Sequence, residues 1–366
     1  MSYQSSDKEA VNHPSVLVVV STTNRRGAET EGAAVGEGLR ARGFRVELSA
    51  LHRGTQAELL PIATLGPTAL SPRTLRALRH AAKRADVVIA YGSSTLPACA
   101  VALLGTRIPF VYRSIGDPGQ WVRGRAHQER TGLLMRRARH VATIWPAAGD
   151  SIHRLYRVPS TSLSVIPNAR DSEHFQPPDP AHRQAARESF DVRPDDRCIA
   201  LIGALADEKR LDIAFRAIAP MPETVVLVAG EGPRRHELEA LAAELLPDQV
   251  RFLGTLGDVR PVLHAADAIV LTSRTEGLPG ALIEAGLCGV PAVATDVGGV
   301  GEIVIDGQTG RLVNGHDVPT ITAAILDVLS RRAQLGAEAR IVCAQKFASE
   351  RALALWADLL TKIADR

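Results

Sequence analysis

The chain has 366 residues, 45% of them hydrophobic but only 4% aromatic, which excludes one ordinary core and suits two α/β domains with aliphatic interiors. No stretch offers the roughly 20 uninterrupted apolar residues of a membrane span, and Cys99, Cys198, Cys288 and Cys343 lack CxxC spacing, so neither a zinc site nor a disulfide framework is indicated and a reducing cytosol fits. The net charge of +3 divides unevenly: residues 1–190 hold 25 Lys+Arg against 15 Asp+Glu, and residues 191–366 hold 18 against 25, so the halves suit different partners.

Residues 1–14 are polar, have no apolar core of signal-peptide type, and are expected to be a flexible tail ahead of a first domain over 15–176. Val16 to Val20 is an aliphatic run of the kind that forms a buried parallel strand. An amphipathic helix running from near Gly27 to Arg42 and a strand over Phe44–Leu48 complete a βαβ opening. Taken alone, Gly27 at that strand–helix junction is ordinary turn chemistry. Pro72–Arg84 reads as a basic helix with Arg73, Arg76, Arg79, His80, Lys83 and Arg84. A solvated face is the simpler reading of it, and a membrane- or phosphate-binding surface the other. Asp86–Ala90 and Phe110–Arg113 read as strands on either side of a helix over Thr95–Leu104. A loop from Gly116 to Arg130 holds Asp117 near its start, and a second basic cluster follows at Arg136, Arg137, Arg139 and His140. A strand over Val141–Ile144, a helix over Gly149–Tyr156 and a strand over Ser164–Ile166 close this domain. Gln176-Pro-Pro-Asp-Pro180 marks an interdomain linker over 177–190.

A second domain is expected over 191–346. Cys198–Ile202 is a buried strand that runs into Gly203-Ala204-Leu205 and on to Lys209. Val225–Ala229 leads through Gly230-Glu-Gly-Pro233 into a helix over Arg235–Leu245, and the strand Val250–Gly254 exits at Thr255. A helix over Val259–Ala266 and a strand over Ala268–Thr272 lead into Ser273–Gly299, which reads as a Gly/Pro turn, a short apolar helix, a strand and a Gly-Gly turn. Pro279 suits the first turn of that helix, which leaves Glu276 in the loop before it and Glu284 more than a turn inside. A helix N-terminus offers unpaired N–H groups and partial positive charge to phosphate, and carboxylates accept sugar hydroxyls. Glu276 is therefore read as a hexose ligand and Glu284 as a ribose ligand. Solvated helix-end charges are the alternative, which the apolar flanks of Glu284 disfavour. Two amphipathic helices close the chain, with Ser349 as N-cap of the last, over 347–366.

Glu276-x7-Glu284 followed by Ala-Gly-x-x-Gly-x-Pro-x-Val-Ala-Thr-Asp-x-Gly-Gly resembles the donor-site motif of glycosyltransferase family 4, retaining enzymes of the GT-B fold. Further stretches extend the resemblance over nearly the whole chain. Ile166-Pro-Asn-Ala-Arg-Asp171, ending in Phe175-x-Pro177, is similar to the family hinge but departs from it at Ala169 and Arg170. Gly203-Ala204-Leu205 with Lys209 is similar to its phosphate loop, with Ala204 where the family has arginine. Ile115-Gly116-Asp117 stands where a histidine is usual.

The resemblance implies an α/β protein of two doubly wound, Rossmann-like parallel-sheet domains facing across a cleft, with the last helix packed back on the first domain. It implies transfer of a hexose-type sugar from a nucleotide-sugar to an acceptor hydroxyl with retention, the departing phosphate helping to deprotonate the acceptor. Lys209 would hold the diphosphate, Glu276 and Gly277 the donor sugar, Glu284 the ribose, Gly254 and Thr255 the base, and Gly27 the phosphate from the opposite domain. Gly203, Leu278, Pro279 and Gly280 complete the donor site, and Asp117 stands in for the histidine. Arg26, Arg210 or Arg274 is expected to compensate for Ala204. No Asp-x-Asp pair occurs, so neither metal nor cofactor is expected. The expected partners are the nucleotide-sugar and a small-molecule, lipid or glycan acceptor, with no nucleic acid. The expected setting is the cytoplasm, and peripheral contact with the inner face of a membrane through the basic first domain stays open. A non-catalytic homologue binding a nucleotide-sugar or a protein is the alternative, for which Ala204 and the missing histidine speak. A sugar-nucleotide epimerase or hydrolase is a third reading.

Overall fold

The computed structural model describes residues 13–25, 27–55, 59–121 and 124–365. The tail up to residue 12 and Arg26 lie outside the described residues. Two parallel sheets carry the fold. The first holds β1 (Ser15–Thr22), β2 (Arg45–His52), β3 (Ala63–Gly66), β4 (Val87–Tyr91), β5 (Phe110–Arg113), β6 (His140–Thr143) and β7 (Leu163–Val165), in the order β3-β2-β1-β4-β5-β6-β7. The second holds β8 (Arg197–Ile202), β9 (Thr224–Ala229), β10 (Val250–Gly254), β11 (Ala268–Leu271), β12 (Ala292–Thr295) and β13 (Gly310–Val313), in the order β10-β9-β8-β11-β12-β13. Both orders reverse direction beside the first strand of the sheet, between β1 and β4 and between β8 and β11. In doubly wound sheets this switch point opens a crevice at the strand carboxyl ends.

Helices cover the sheet faces: α1 (Gly27–Ala41), α2 (Pro72–Ala82), α3 (Thr95–Ala102), α4 (Arg125–Arg137) and α5 (Pro146–Tyr156) in the first half of the chain, then α6 (Pro180–Ser189), α7 (Leu211–Ile218), α8 (Arg235–Leu245), α9 (Arg260–Ala265), α10 (Gly280–Leu287), α11 (Val318–Ser330), α12 (Arg332–Phe347) and α13 (Ser349–Ala364). The central strands are buried on both faces, as their continuous aliphatic runs require. Ile144, Trp145 and Ala148 of the first domain join the same apolar cluster as Leu278, Leu282 and Val300 of the second, so the domains share a packed contact. Helix α13 returns to the first domain, where Ala352, Trp356, Leu360 and Ile363 pack with Val16, Val18, Val20 and Leu39.

Four stretches differ from the sequence reading. The edge strand β3 was not expected, because Ala63 and Thr64 are exposed and the segment has no long aliphatic run. Helix α4 begins at Arg125, inside the stretch read as loop; Gly124, at φ 103°, turns the chain into it. The linker stretch carries α6, capped where Asp179 Oδ1 accepts the His182 N–H at 2.8 Å with Pro180 at the first position. Three helices close the chain rather than two, and Ser349 is the first residue of α13 instead of its cap. The Ser349 N–H donates across the domain crossing to Arg170 O at 2.9 Å, so its backbone serves the hinge.

Candidate active site

The switch point of the second sheet gathers the acidic and basic residues singled out by sequence. Gly203 directly follows β8, and Gly230, directly after β9, lies so close to the Gly203 carbonyl that any Cβ there would collide with it. The loop then forms a 3-10 turn over Asp207–Lys209 that brings Lys209 toward the exit of β11. Lys209 Nζ donates to Glu276 Oε1 at 2.7 Å, and Ser273 Oγ donates to the same oxygen at 2.6 Å. Glu276 is only 9% exposed, so its charge needs these two donors. Both fall on Oε1, which leaves the acceptor capacity of Oε2 unspent among the described residues. The structure thus joins as one ion pair two residues to which separate ligand groups were assigned.

Helix α10 starts immediately beyond. Pro279 occupies the N-cap position and Gly280 is the first helical residue, one place later than the proline signal indicated. The N–H groups of Gly280 and Ala281 therefore open the helix without intrahelical acceptors. Gly277 must be glycine for a steric reason: a Cβ would stand 2.5 Å from Ile115 O and 3.1 Å from Ile144 Cδ1, both in the first domain. Gly299 donates its N–H to Gly277 O at 2.7 Å, and Asn168 Nδ2 donates to Leu278 O at 2.8 Å. The loop before α10 is therefore fixed from the Gly-Gly turn and from the hinge. One turn into the helix, Glu284 Oε1 accepts Arg170 Nε at 2.6 Å, with the two side chains 14% and 24% exposed.

Other sequence candidates fall elsewhere. Gly254 closes β10 on the same carboxyl edge, accepting the Gly230 N–H at 2.7 Å, and Thr255 after it is exposed. Gly27 begins α1 in the facing domain, exposed, with open space where a Cβ would stand. Asp117 spends Oδ1 on the Gly119 N–H at 2.9 Å, capping the 3-10 turn Pro118–Trp121, and no recorded contact links it to Lys209, Glu276 or Glu284. Arg210 is paired with Asp212, Nε to Oδ1 at 3.0 Å, and so is committed locally; Arg274 is exposed.

The sequence reading assigned no role to Ser273, Asn168, Arg170 or Arg113. Arg170 was visible as a departure from the hinge pattern; Ser273 and Asn168 gave no such signal. Arg113, fully buried, donates to Glu31 Oε1 and Asn168 Oδ1 at 3.1 Å each and to the carbonyls of Thr143 and Ile166. Its guanidinium lies 5.7 Å from the Tyr91 ring centroid and 5.6 Å from that of Trp356, locking α1, β5, the hinge and α13 together.

Comparison with known proteins supplies the family. A profile described as Glycosyltransferase Family 4 matches residues 25–174, and one described as Glycosyl transferases group 1 matches residues 182–342. A D-inositol 3-phosphate glycosyltransferase of Mycobacterium marinum is 35% identical over 197 residues, 51% of this chain and 41% of that protein. A GDP-mannose-dependent alpha-(1-6)-phosphatidylinositol monomannoside mannosyltransferase of Mycolicibacterium smegmatis is 34% identical over 199 residues, 50% of this chain and 52% of that protein. The chain thus spans 41% and 52% of the length of these two curated relatives. Among solved structures, Anabaena HepE in complex with UDP-glucose superposes with a TM-score of 0.84 at 21% identity, covering 96% of this chain and 100% of that one. A glycosyltransferase from Rickettsia africae does so with a TM-score of 0.82 at 16% identity, covering 96% and 99%. With one profile on each domain and a fold shared over almost its full length, the chain belongs to the family 4 glycosyltransferases of GT-B architecture.

Proposed function

We propose that the protein moves a hexose-type sugar from a nucleotide-sugar to an acceptor hydroxyl, with retention of configuration and without a metal. The observation that carries this reading is the Lys209–Glu276 pair at the opening of α10, with Glu284 one turn further on, all at the carboxyl ends of β8 and β11. In the reaction the bond from the anomeric carbon to the diphosphate breaks, the bond to the acceptor oxygen forms on the same face, and the acceptor proton passes to the departing phosphate. Charge develops on the diphosphate, where the Lys209 ammonium and the open N–H groups of α10 stabilise it. Lys209 has three N–H donors, so it can keep Glu276 and still engage phosphate. Glu276 Oε2 accepts hydroxyls of the hexose and Glu284 those of the ribose. No protein nucleophile is needed, and the absence of an Asp-x-Asp pair supports metal independence.

Anabaena HepE is seen with UDP-glucose and one relative is GDP-mannose-dependent, so sugars on both bases belong in the first screen. The acceptor is chosen by first-domain segments such as the one that leads from β5 into α4. Incubation with UDP-, GDP- and ADP-sugars and mixed acceptors, read by mass spectrometry and by anomeric NMR couplings, tests the proposal. A glycoside with the donor's configuration supports it. An isomerised or hydrolysed donor, an inverted product or an unchanged donor counts against it.

The first domain is further proposed to touch an anionic bilayer. Exposed Arg73 and Arg76 on α2 and Lys83 just after it accompany exposed Leu70, Leu104 and Leu133 around α2, α3 and α4, and no helix among the described residues is long and apolar enough to cross a membrane. Salt-sensitive binding to anionic vesicles is the expected result, and no binding returns these residues to a solvated face.

A further inference from the structure

Among the described residues, the phosphate loop of this chain has no second cation held in place. Ala204 is exposed and uncharged, Arg210 is committed to Asp212, Lys209 shares its charge with the buried Glu276, and Arg274, whose N–H donates to Glu208 O at 2.7 Å, extends an exposed side chain. A diphosphate carries more negative charge than one shared ammonium answers, and charge-assisted contacts to phosphate are among the strongest available.

Arg170 has the placement to supply that charge. Its backbone is fixed at the double crossing between the domains: its N–H donates to Phe347 O and its carbonyl accepts the Ser349 N–H, each at 2.9 Å. From there the side chain runs into the second domain. Nε donates to Glu284 Oε1 at 2.6 Å and Nη1 to Ala169 O at 2.9 Å. Nη2 lies against Gly280, the first residue of α10, so closely that any Cβ at that position would collide with it. Glycine at 280 therefore makes room for a guanidinium. The N–H bonds of Nη2 meet no acceptor among the described residues.

A cation in the first turn of a helix faces the positive end of the helix dipole, an arrangement with no benefit of its own. Burial works against the Arg170 charge, but the Glu284 carboxylate and, more remotely, that of Glu31 more than offset it, and its pKa stands raised. Glu284 thus keeps the charge at the opening of α10 through Nε, and Nη2 is left over to meet a second anion. In a nucleotide the ribose and the first phosphate are joined through one carbon, so a guanidinium bonded to the carboxylate that holds the ribose lies within reach of that phosphate.

We propose that Arg170 is a donor-binding residue: it aligns Glu284 for the ribose through Nε and holds the donor's diphosphate through Nη2, supplying from the hinge the charge absent at Ala204. The proposal rests on the donor-site reading above. It also makes the hinge part of the binding site, so that donor binding and domain position are coupled through one side chain.

The test compares UDP and GDP with uridine and guanosine, by calorimetry for the diphosphates and ligand-observed NMR for the weaker nucleosides. It uses wild type, Arg170→Met, Arg170→Lys and Arg170→Met combined with Ala204→Arg, each checked for an unchanged melting profile. Arg170→Met is expected to weaken the preferred diphosphate about 10- to 100-fold, the factor a charge-assisted contact carries, and to weaken its nucleoside, which loses only the alignment of Glu284, by a clearly smaller factor. Arg170→Lys is expected to fall between, and Ala204→Arg to restore most of the loss. Equal losses for nucleoside and diphosphate, or no loss, would overturn the role of Arg170 while leaving the donor site in place. A wild type that binds none of the four probes would overturn the donor-site reading and this proposal together.

Discussion

The two domains use their arginines differently. In the second, most pair with carboxylates close by in sequence: Arg210 with Asp212, Arg234 with Glu237, Arg235 with Glu239 and Arg260 with Asp258. In the first, where basic residues outnumber acidic ones, arginines turn instead to backbone carbonyls. Arg79 donates to Ala102 O and Leu104 O, Arg137 to Leu103 O, Arg136 to Tyr156 O and Arg40 to Val46 O. The carbonyls at the end of α3 thus receive one guanidinium from α2 and one from α4, which gives Arg79 of the basic helix α2 a structural use. Besides the pairs of Arg183 and Arg187 with Asp267, which span 84 and 80 residues, two long-range ion pairs meet at α10. Lys209–Glu276 spans 67 residues and Arg170–Glu284 spans 114. Local pairs balance surface charge, whereas these two exist only because the fold brings a loop and a hinge to one helix.

That contrast can be broken by substitution. The largest effect is expected for Lys209→Ala, which should lower kcat by roughly 10²- to 10³-fold, the cost of removing one preorganised donor to developing charge, with a smaller change in donor affinity. A matching loss in affinity alone would move Lys209 from leaving-group stabilisation to simple binding. Next comes Arg113→Met in the first domain. It leaves the Glu31 carboxylate with Tyr91 Oη as its remaining direct donor and frees two carbonyls, and should cost about 3–5 kcal/mol of stability in a denaturant titration. The four thiols report where the structure opens. Cys99 in the first domain and Cys198, Cys288 and Cys343 in the second are all buried, with burial pushing each pKa up to about 12, so the native protein should label slowly. In Arg113→Met, Cys99 is expected to label before Cys198, and simultaneous labelling would show that the domains open as one unit. The smallest effect is expected for Arg311→Ala, which breaks only the pairs to Asp306 and Asp327 and should leave nucleotide affinity unchanged.

The sequence was most informative where one segment carried the whole signal. Val16–Val20, Cys198–Ile202 and Ala268–Thr272 read as buried strands because a parallel sheet covered on both faces needs continuous aliphatic runs. The placement of Glu276 before a helix start and of Glu284 inside that helix was legible because both lie within a single stretch. Edge strand β3 and the start of α4 were missed because neither buries a continuous run. The pairing of Lys209 with Glu276 and of Arg170 with Glu284 depends on tertiary placement, which spacing along the chain does not encode. Asp117 was chosen only for being near an absent histidine, and its carboxylate turned out to cap its own loop.

The most direct test of the central claim, that α10 opens onto a nucleotide site, is calorimetric titration of UDP and GDP into wild type and Glu284→Ala. One of them is expected to bind wild type, and the variant to lose at least about tenfold in affinity, as removal of a charged hydrogen-bond partner should. Equal affinity in both proteins, or no binding to wild type, would contradict that claim.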